Sequence, residues 1–142
     1  MVYASQGRYG DAANTMEEAL TIRGGLEQGQ TPQWRTAVAL LRKAPAKIVW
    51  RNPPRLGRVG FAYLYAGYPE QSLQIFEDEV KTGLAGAQGG NLGWLWQSAY
   101  APARRTERFK DLMRKTGFVD YWRQRGWPEF CRPNGADDFQ CQ

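Results

Sequence analysis

The sequence of 142 residues contains no histidine. This absence excludes serine–histidine and cysteine–histidine catalytic pairs, histidine zinc ligands and an imidazole general base. The two cysteines, Cys131 and Cys141, are too few for a four-cysteine zinc site. The serines are Ser5, Ser72 and Ser98, and none has an activating base beside it in the sequence. We therefore expect a protein that is not an enzyme and that holds neither a metal nor a cofactor.

Long hydrophobic runs are also missing. The longest candidate, Val59 to Tyr68, covers about ten positions and contains two glycines, whereas a helix that spans a bilayer needs about 20 apolar residues. The chain is nonetheless 42% hydrophobic and 13% aromatic, which is too apolar for intrinsic disorder. The first residues lack the basic and apolar regions of a signal peptide. We therefore predict no membrane span and a cytoplasmic location, with the periplasm as the alternative if Cys131 and Cys141 are bridged.

Acidic residues are absent between positions 35 and 58, where seven basic residues occur. The whole chain has 19 basic and 14 acidic residues, which gives a net charge of +5. A second basic stretch, between positions 104 and 125, is interspersed with acids. Positive charge of this kind favours anionic partners, namely acidic protein segments, nucleic acids or anionic lipid. Because there is no uninterrupted run of about five to eight basic residues, nucleic acid is the less favoured partner, and a nucleic-acid-associated accessory protein is the alternative function.

Apolar residues recur at helical spacing along most of the chain. In residues 11–22, four apolar side chains fall at i, i+4, i+7 and i+8, which is typical of a helix with one buried face. Glycines and prolines separate further helical segments, and one of these covers about residues 55–66. No alternation typical of a strand is evident. We predict an all-α fold, with a helical domain over residues 1–126 and an irregular tail over residues 127–142.

Two segments match each other at an offset of 60 residues. Each has a tyrosine, a glycine, a small residue and a large apolar residue at the same spacing. These are Tyr3, Gly7, Ala12 and Met16 in the first segment, and Tyr63, Gly67, Ser72 and Phe76 in the second. The glycine provides a turn between two helices, and the small residue lets the helices approach closely.

This pattern resembles the tetratricopeptide (TPR) repeat, in which a small residue also follows the tyrosine nine positions on. The resemblance covers about residues 1–83. One TPR repeat has about 34 residues and two have about 68, so an offset of 60 implies an irregular intervening hairpin.

The C-terminal segment has its own pattern over residues 108–131. Arg-Phe is followed in order by Gly, Tyr-Trp and Pro-Glu-Phe-Cys. It resembles the end of a group of bacterial TPR proteins, in which the repeats often follow a nucleotide cyclase or a winged-helix DNA-binding domain. The resemblance implies a TPR-like right-handed superhelix of antiparallel helical hairpins, with a scaffold or regulatory function in bacterial signalling. It implies no cyclase activity, because the metal-binding aspartates of a cyclase are not found here.

A candidate peptide-binding groove follows from the same resemblance. Arg58, Phe61 and Tyr65 fall at i, i+3 and i+7 of one predicted helix and so share one face. In TPR proteins this face points into the binding groove. There the two aromatic rings would offer apolar contact, and the Arg58 guanidinium would donate two parallel hydrogen bonds to a carboxylate. We predict a protein or peptide partner, with acidic peptides favoured. The alternative is that Phe61 and Tyr65 pack on the preceding helix, around Trp34 and Val38.

The first predicted hairpin is truncated, because Tyr3 lies where its first helix should already be under way. The open helical face at the end of a solenoid is apolar and prone to association. We therefore expect either that further repeats precede this segment or that two copies pair through it as a homodimer.

Overall fold

Helices dominate the part of the chain that the structure describes. The computed structural model describes residues 2–22, 31–45, 50–83 and 91–142, and 66% of the structure is helical. The predicted helical class is therefore confirmed for most of these residues, although a two-stranded sheet lies near the C-terminus. None of the described helices is long and apolar enough to cross a bilayer.

The chain divides into two compact units, Met1–Ile75 and Phe76–Gln142, which we call the N-terminal unit and the C-terminal unit. The division lies inside residues 1–126, which the sequence predicts to be one helical domain. The regular helices before the division are α1 (Val2–Ser5), α2 (Tyr9–Ile22), α3 (Thr31–Lys43) and α4 (Ala62–Tyr65), with short 3₁₀ turns at Gly57–Val59 and Pro69–Leu73.

Small side chains allow the elements of the N-terminal unit to pack closely. Helix α2 packs against α3, and α3 packs against α4. The core contains several buried alanines, namely Ala12, Ala13, Ala37, Ala62 and Ala66. Larger aliphatic side chains such as Leu40 and Leu41 fill the space between the helices. The close packing follows from these small residues, because backbones can approach only where side chains are short.

The two copies of the sixty-residue match share one turn geometry. Gly7 has a φ of 76° and Gly67 a φ of 79°, in the left-handed region that favours glycine. In each copy, the peptide N–H five residues after the tyrosine donates to the tyrosine carbonyl oxygen. The bonds run from Arg8 to Tyr3 and from Tyr68 to Tyr63, both at 2.9 Å. This six-to-one bond around a left-handed glycine is the Schellman motif that ends a helix.

The two tyrosines themselves lie in different surroundings. Tyr3 is 39% exposed, and the Arg8 guanidinium carbon lies 4.6 Å from the centre of its ring. Tyr63 is 1% exposed, and its hydroxyl donates to the carbonyl oxygen of Pro54 at 2.6 Å. The Trp50 ring lies edge-on to Tyr63, and burial raises the pKa of Tyr63 to about 12. The copies therefore share a turn but not an environment, because residues 50–54 cover only the second tyrosine.

The remaining positions of the match are buried. Ala12 and Met16 are buried in the N-terminal unit, as is Ser72. The Ser72 hydroxyl donates to the carbonyl oxygen of Pro69 at 2.6 Å, which satisfies a polar group that has no exposed surface. Phe76 belongs to the C-terminal unit, where its ring packs edge-on against Tyr100.

The C-terminal unit combines short helices with a hairpin. The division of the chain falls within α5 (Gln74–Lys81). The elements that follow are the 3₁₀ turns Asn91–Trp96 and Ser98–Tyr100, the helices α6 (Ala101–Arg104), α7 (Glu107–Lys115) and α8 (Phe118–Arg125), and the strands β1 (Cys131–Asn134) and β2 (Asp138–Cys141). Helix α7 begins after Thr106, whose hydroxyl oxygen accepts a bond from the Phe109 N–H at 3.2 Å and so caps the helix.

A β-hairpin occupies residues 131–141, so the prediction of an irregular tail over residues 127–142 is wrong there. Strands β1 and β2 pair antiparallel, with Cys131 opposite Cys141 and Pro133 opposite Phe139. Because proline has no N–H, the Pro133–Phe139 pair is non-hydrogen-bonded, and by alternation the cysteine pair two residues along is too. Strands of four residues, one of them containing proline, are too short to produce a recognisable alternation in the sequence.

Cys131 and Cys141 form a disulfide, with their Cα atoms 4.1 Å apart. This bond contradicts the cytoplasmic location predicted from the sequence. Thiols are kept reduced in the cytosol, whereas disulfides persist in oxidising compartments. The disulfide therefore indicates an oxidising location outside the cytoplasm.

Candidate functional site

A surface hollow in the N-terminal unit has apolar walls and an arginine among its lining residues. Its volume is about 220 Å³. The lining residues are Gln33, Trp34, Leu56, Gly57, Arg58, Val59 and Ile75. Trp34 and Ile75 are half-buried, while Arg58 is exposed. The hollow, which we call the Arg58 hollow, thus combines apolar surface with a permanent positive charge.

The backbone beside the Arg58 hollow is fixed by its neighbours. Leu56 and Val59, on either side of Arg58, are 2% and 3% exposed and anchor the segment in the core. The Gly60 N–H donates to the carbonyl oxygen of Gly57 at 2.9 Å, which closes the turn around Arg58. The guanidinium is therefore presented on a fixed backbone, which lowers the conformational cost of binding a ligand there.

The Arg58 guanidinium has no hydrogen bond or ion pair with the residues that the structure describes. Arg42, by contrast, is paired with Glu17 and also donates to Asn14 Oδ1 at 3.1 Å. No acidic residue occurs between positions 35 and 58 to serve Arg58 locally. Its five N–H donors remain available for a carboxylate from another molecule.

The three residues predicted to line one groove are not brought together. Arg58 lines the Arg58 hollow, whereas Phe61 lines a separate hollow of about 70 Å³ beside Met16 and Leu41. The segment is a 3₁₀ turn followed by a short α-helix from Ala62, not a continuous α-helix. The i, i+3, i+7 rule assumes 3.6 residues per turn throughout, so it fails here.

Phe61 and Tyr65 contribute to the core of the N-terminal unit. Both are half-buried and pack against its buried cluster. The ring of Tyr65 lies 5.9 Å from that of Tyr9. Burial, and secondarily the nearby Tyr9, raises the pKa of the Tyr65 hydroxyl. The alternative places both rings on the preceding helix, around Trp34 and Val38, whereas the ring that Tyr65 contacts is Tyr9 on α2.

Two walls of the Arg58 hollow were not anticipated from the sequence. Trp34 lies on α3, and the sequence suggests it only as a packing partner of Phe61 and Tyr65, although it is half-exposed. Ile75 comes from the beginning of α5 and has no local pattern that links it to Arg58. A tryptophan next to an acid-free basic stretch is the one signal that could have suggested the site.

Ion pairs neutralise much of the second basic stretch. Arg108 forms two parallel bonds with Glu77, at 2.7 and 2.8 Å. Asp138 binds both Lys110, at 2.9 Å, and Arg114, at 3.0 Å. Because these cations already have carboxylate partners, this stretch offers less free positive charge than its composition suggests.

The Arg108–Glu77 pair makes an acid-dependent contribution to stability. Hydrogen bonds from Arg108 hold the pKa of Glu77 below its usual value of 4.5. A carboxyl group whose pKa is lower in the folded than in the unfolded protein stabilises the fold fully when the pH is above the unfolded-state pKa. This stabilisation is lost as the pH falls through the folded-state pKa. The two side chains are 27% and 24% exposed, and we expect Glu77→Gln to cost about 1 kcal/mol at pH 7 and less at pH 3. Urea unfolding at the two pH values measures this difference.

The matched control for this prediction is Glu129→Gln. Glu129 is exposed and has no ion pair among the described residues. Its replacement should change the free energy of unfolding by less than about 0.5 kcal/mol at either pH. An equal loss for Glu77→Gln at pH 7 and pH 3 would show that the ionised carboxylate is not what stabilises the unit.

No family model, curated protein or solved structure was found to match the chain. Within the described ranges, no group of three or more cysteine, aspartate or glutamate side chains is placed to hold a metal ion.

Proposed function

We propose that this chain is a protein-interaction module, and that the Arg58 hollow binds a peptide segment with an apolar side chain beside a carboxylate. The observation that carries this proposal is the exposed Arg58 guanidinium, which has no partner in the described chain and lies at an apolar hollow. In this proposal the chain is not an enzyme but a scaffold or regulatory module.

The size of the Arg58 hollow favours a side chain over a cofactor. Small-molecule sites usually have volumes of about 300–1,000 Å³, whereas this hollow has about 220 Å³. Trp34 and Val59 would contact an apolar side chain. Arg58 would bind the neighbouring carboxylate through two parallel hydrogen bonds, because the guanidinium fork matches carboxylate geometry.

A TPR-like superhelix is the architecture that we propose for the helical elements. The shared Schellman turns at Gly7 and Gly67 and the burial of Ala12 and Ser72 support it, because each feature is at the same place in both copies. A role in bacterial signalling rests only on the resemblance of the sequence pattern to that group of TPR proteins.

Nucleic acid is a less suitable partner for this surface. Phosphate binding needs several unpaired cations along one surface. In the second basic stretch Arg108, Lys110 and Arg114 are already ion-paired, which leaves less free charge there for phosphates. In the first stretch the charge of Arg58 lies beside an apolar hollow, which suits a carboxylate next to an apolar side chain better than a row of phosphates.

The predicted homodimer concerns a different surface. Val2 is 70% exposed and Tyr3 39% exposed, and both belong to α1. Pairing of two copies through α1 stays a prediction, which light scattering at high protein concentration can test.

The test of the Arg58 hollow uses a fluorescein-labelled peptide of alternating leucine and glutamate. We expect saturable binding by fluorescence anisotropy, and Arg58→Ala should weaken it at least about tenfold, because a charge-assisted hydrogen bond contributes about 1.5–3 kcal/mol. The midpoint of thermal unfolding should not change, because the Arg58 side chain is exposed.

Two controls separate this site from general charge attraction. Arg51→Ala removes another exposed arginine of the acid-free stretch that does not line the hollow, and should leave binding within about twofold. A peptide with glutamine in place of glutamate should bind weakly. Equal effects of the two arginine variants, or tighter binding of duplex DNA than of the peptide, would contradict the proposal.

A further inference from the structure

The two ends of the C-terminal hairpin are joined by the disulfide and a few backbone bonds. The Gln142 N–H donates to the carbonyl oxygen of Phe130 at 2.8 Å, and the Cys131 N–H donates to that of Pro128 at 2.9 Å. Arg104 Nε donates to the backbone oxygen of Gln142 at 2.6 Å. Gln142 is thus held by Phe130 and Arg104, and the Cys131–Cys141 bond fixes the residue that precedes it.

The middle of the hairpin is held independently of the disulfide. Phe139 is 1% exposed, and its ring lies 5.8 Å from that of Trp122. The Asp138 carboxylate binds Lys110 and Arg114 on α7. Opening the disulfide would leave these contacts in place, so the hairpin has an anchored centre and a detachable end.

The disulfide borders a hollow that is open to solvent. Cys131 and Cys141 line a surface hollow of about 150 Å³, together with Glu129, Arg132 and Gln140. The cysteines themselves are only 5% and 7% exposed, so the hollow is the approach by which a thiol could reach the sulfur atoms.

We propose that the Cys131–Cys141 disulfide is a redox-modification site that a dithiol reductant opens in the folded protein. A thiolate of the reductant attacks one cysteine sulfur, the S–S bond breaks, and the other cysteine leaves as a thiolate and takes up a proton. The second thiolate of the reductant then attacks the mixed disulfide and releases the first cysteine. The reductant ends as a disulfide and the protein as two thiols, with two electrons transferred.

The consequence of reduction is transmitted by Arg104. Its Nη1 donates to the carbonyl oxygens of Leu95 and Gln97, at 2.6 and 2.9 Å, while its Nε binds Gln142. When the end of the hairpin detaches, this buried cation loses one of its three acceptors, and its hold on residues 95–97 weakens. Reduction therefore loosens two segments that are distant in sequence, and this inference does not depend on the Arg58 hollow.

Hydrogen exchange of the folded protein, with and without a millimolar dithiol, tests the inference. Alkylation after mild reduction should add two groups per chain in the absence of denaturant. Exchange over residues 129–132 and 140–142 should accelerate about tenfold or more, with a smaller increase over 95–104. Residues 107–125 should stay within about twofold of the oxidised protein.

The double variant Cys131→Ser with Cys141→Ser should reproduce this exchange pattern without reductant. Asp138→Asn in the oxidised protein is the converse control, because it should loosen the centre of the hairpin and leave Gln142 protected. Resistance of the disulfide to dithiol until denaturant is added would overturn the inference. So would unchanged exchange at residues 140–142 after reduction, or equal acceleration throughout residues 107–125.

Discussion

Replacing Trp122 with alanine is expected to lower the free energy of unfolding of the C-terminal unit by about 3–5 kcal/mol. Trp122 is 5% exposed, and its ring contacts four other aromatic rings, at centroid distances of 5.6 to 5.9 Å. These rings belong to Trp96, Phe118, Trp127 and Phe139. The alanine leaves a cavity where elements from four parts of the unit meet. Urea unfolding followed by near-ultraviolet circular dichroism measures the loss.

Tyr121→Ala is the matched control, because Tyr121 is next to Trp122 on α8 and is 59% exposed. Its replacement should change the free energy of unfolding by less than about 0.5 kcal/mol. Trp122→Phe keeps part of the ring surface, so its loss of unfolding free energy should lie between those of Trp122→Ala and Tyr121→Ala. A cost below about 1 kcal/mol for Trp122→Ala would mean that the cluster does not hold the unit together.

The parts of the fold that the sequence predicts correctly depend on neighbouring residues. Ala12 and Met16 are one helical turn apart, and both are buried on α2. Gly117, with a φ of 77°, separates α7 from α8, and the two basic residues that precede it favour the end of a helix. Signals of this kind are carried by local backbone preferences and can be read without knowing the tertiary structure.

The Arg58 hollow could be predicted only in part. The exposed arginine and the acid-free stretch are visible in the sequence. The pairing with Phe61 and Tyr65 depended on a regular helix, and the 3₁₀ turn at Gly57–Val59 changes which side chains share a face. The Ile75 wall is contributed by another element, and residues distant in the chain meet only through tertiary packing.

The C-terminal hairpin shows the same limit more strongly. Its strands have four residues each, which is too short for an alternating pattern of apolar and polar residues to be recognised in the sequence. What stabilises the hairpin is remote in sequence: Lys110 binds Asp138, and Trp122 packs against Phe139. Arg104 carried no sequence signal of burial, since it is one of two adjacent arginines in a basic stretch and arginine is rarely buried.

Replacing Arg104 with methionine should therefore have a large effect, although the stretch around it looks like an ordinary solvent-exposed surface. Arg104 is 2% exposed, and burial lowers its pKa, because the cation has lost most of its hydration. Three backbone oxygens compensate, on Leu95, Gln97 and Gln142. Methionine fills similar space but leaves those acceptors buried without donors, which should cost about 3 kcal/mol or more and lower the unfolding midpoint by roughly 10–20 °C.

The adjacent Arg105 provides a stringent comparison for this prediction. Arg105 is exposed and has no hydrogen bond or ion pair among the described residues, so Arg105→Met removes the same charge from almost the same place. Its effect should stay below about 0.5 kcal/mol. Arg104→Lys keeps the charge, but an ammonium group cannot reproduce the hydrogen bonds of the guanidinium to residues 95–97 and to Gln142. Its loss of stability should therefore lie between those of the two methionine variants. Thermal unfolding of the three variants in parallel tests the prediction. Equal unfolding midpoints for the two methionine variants would mean that the hydrogen bonds of the buried Arg104 guanidinium do not stabilise the C-terminal unit.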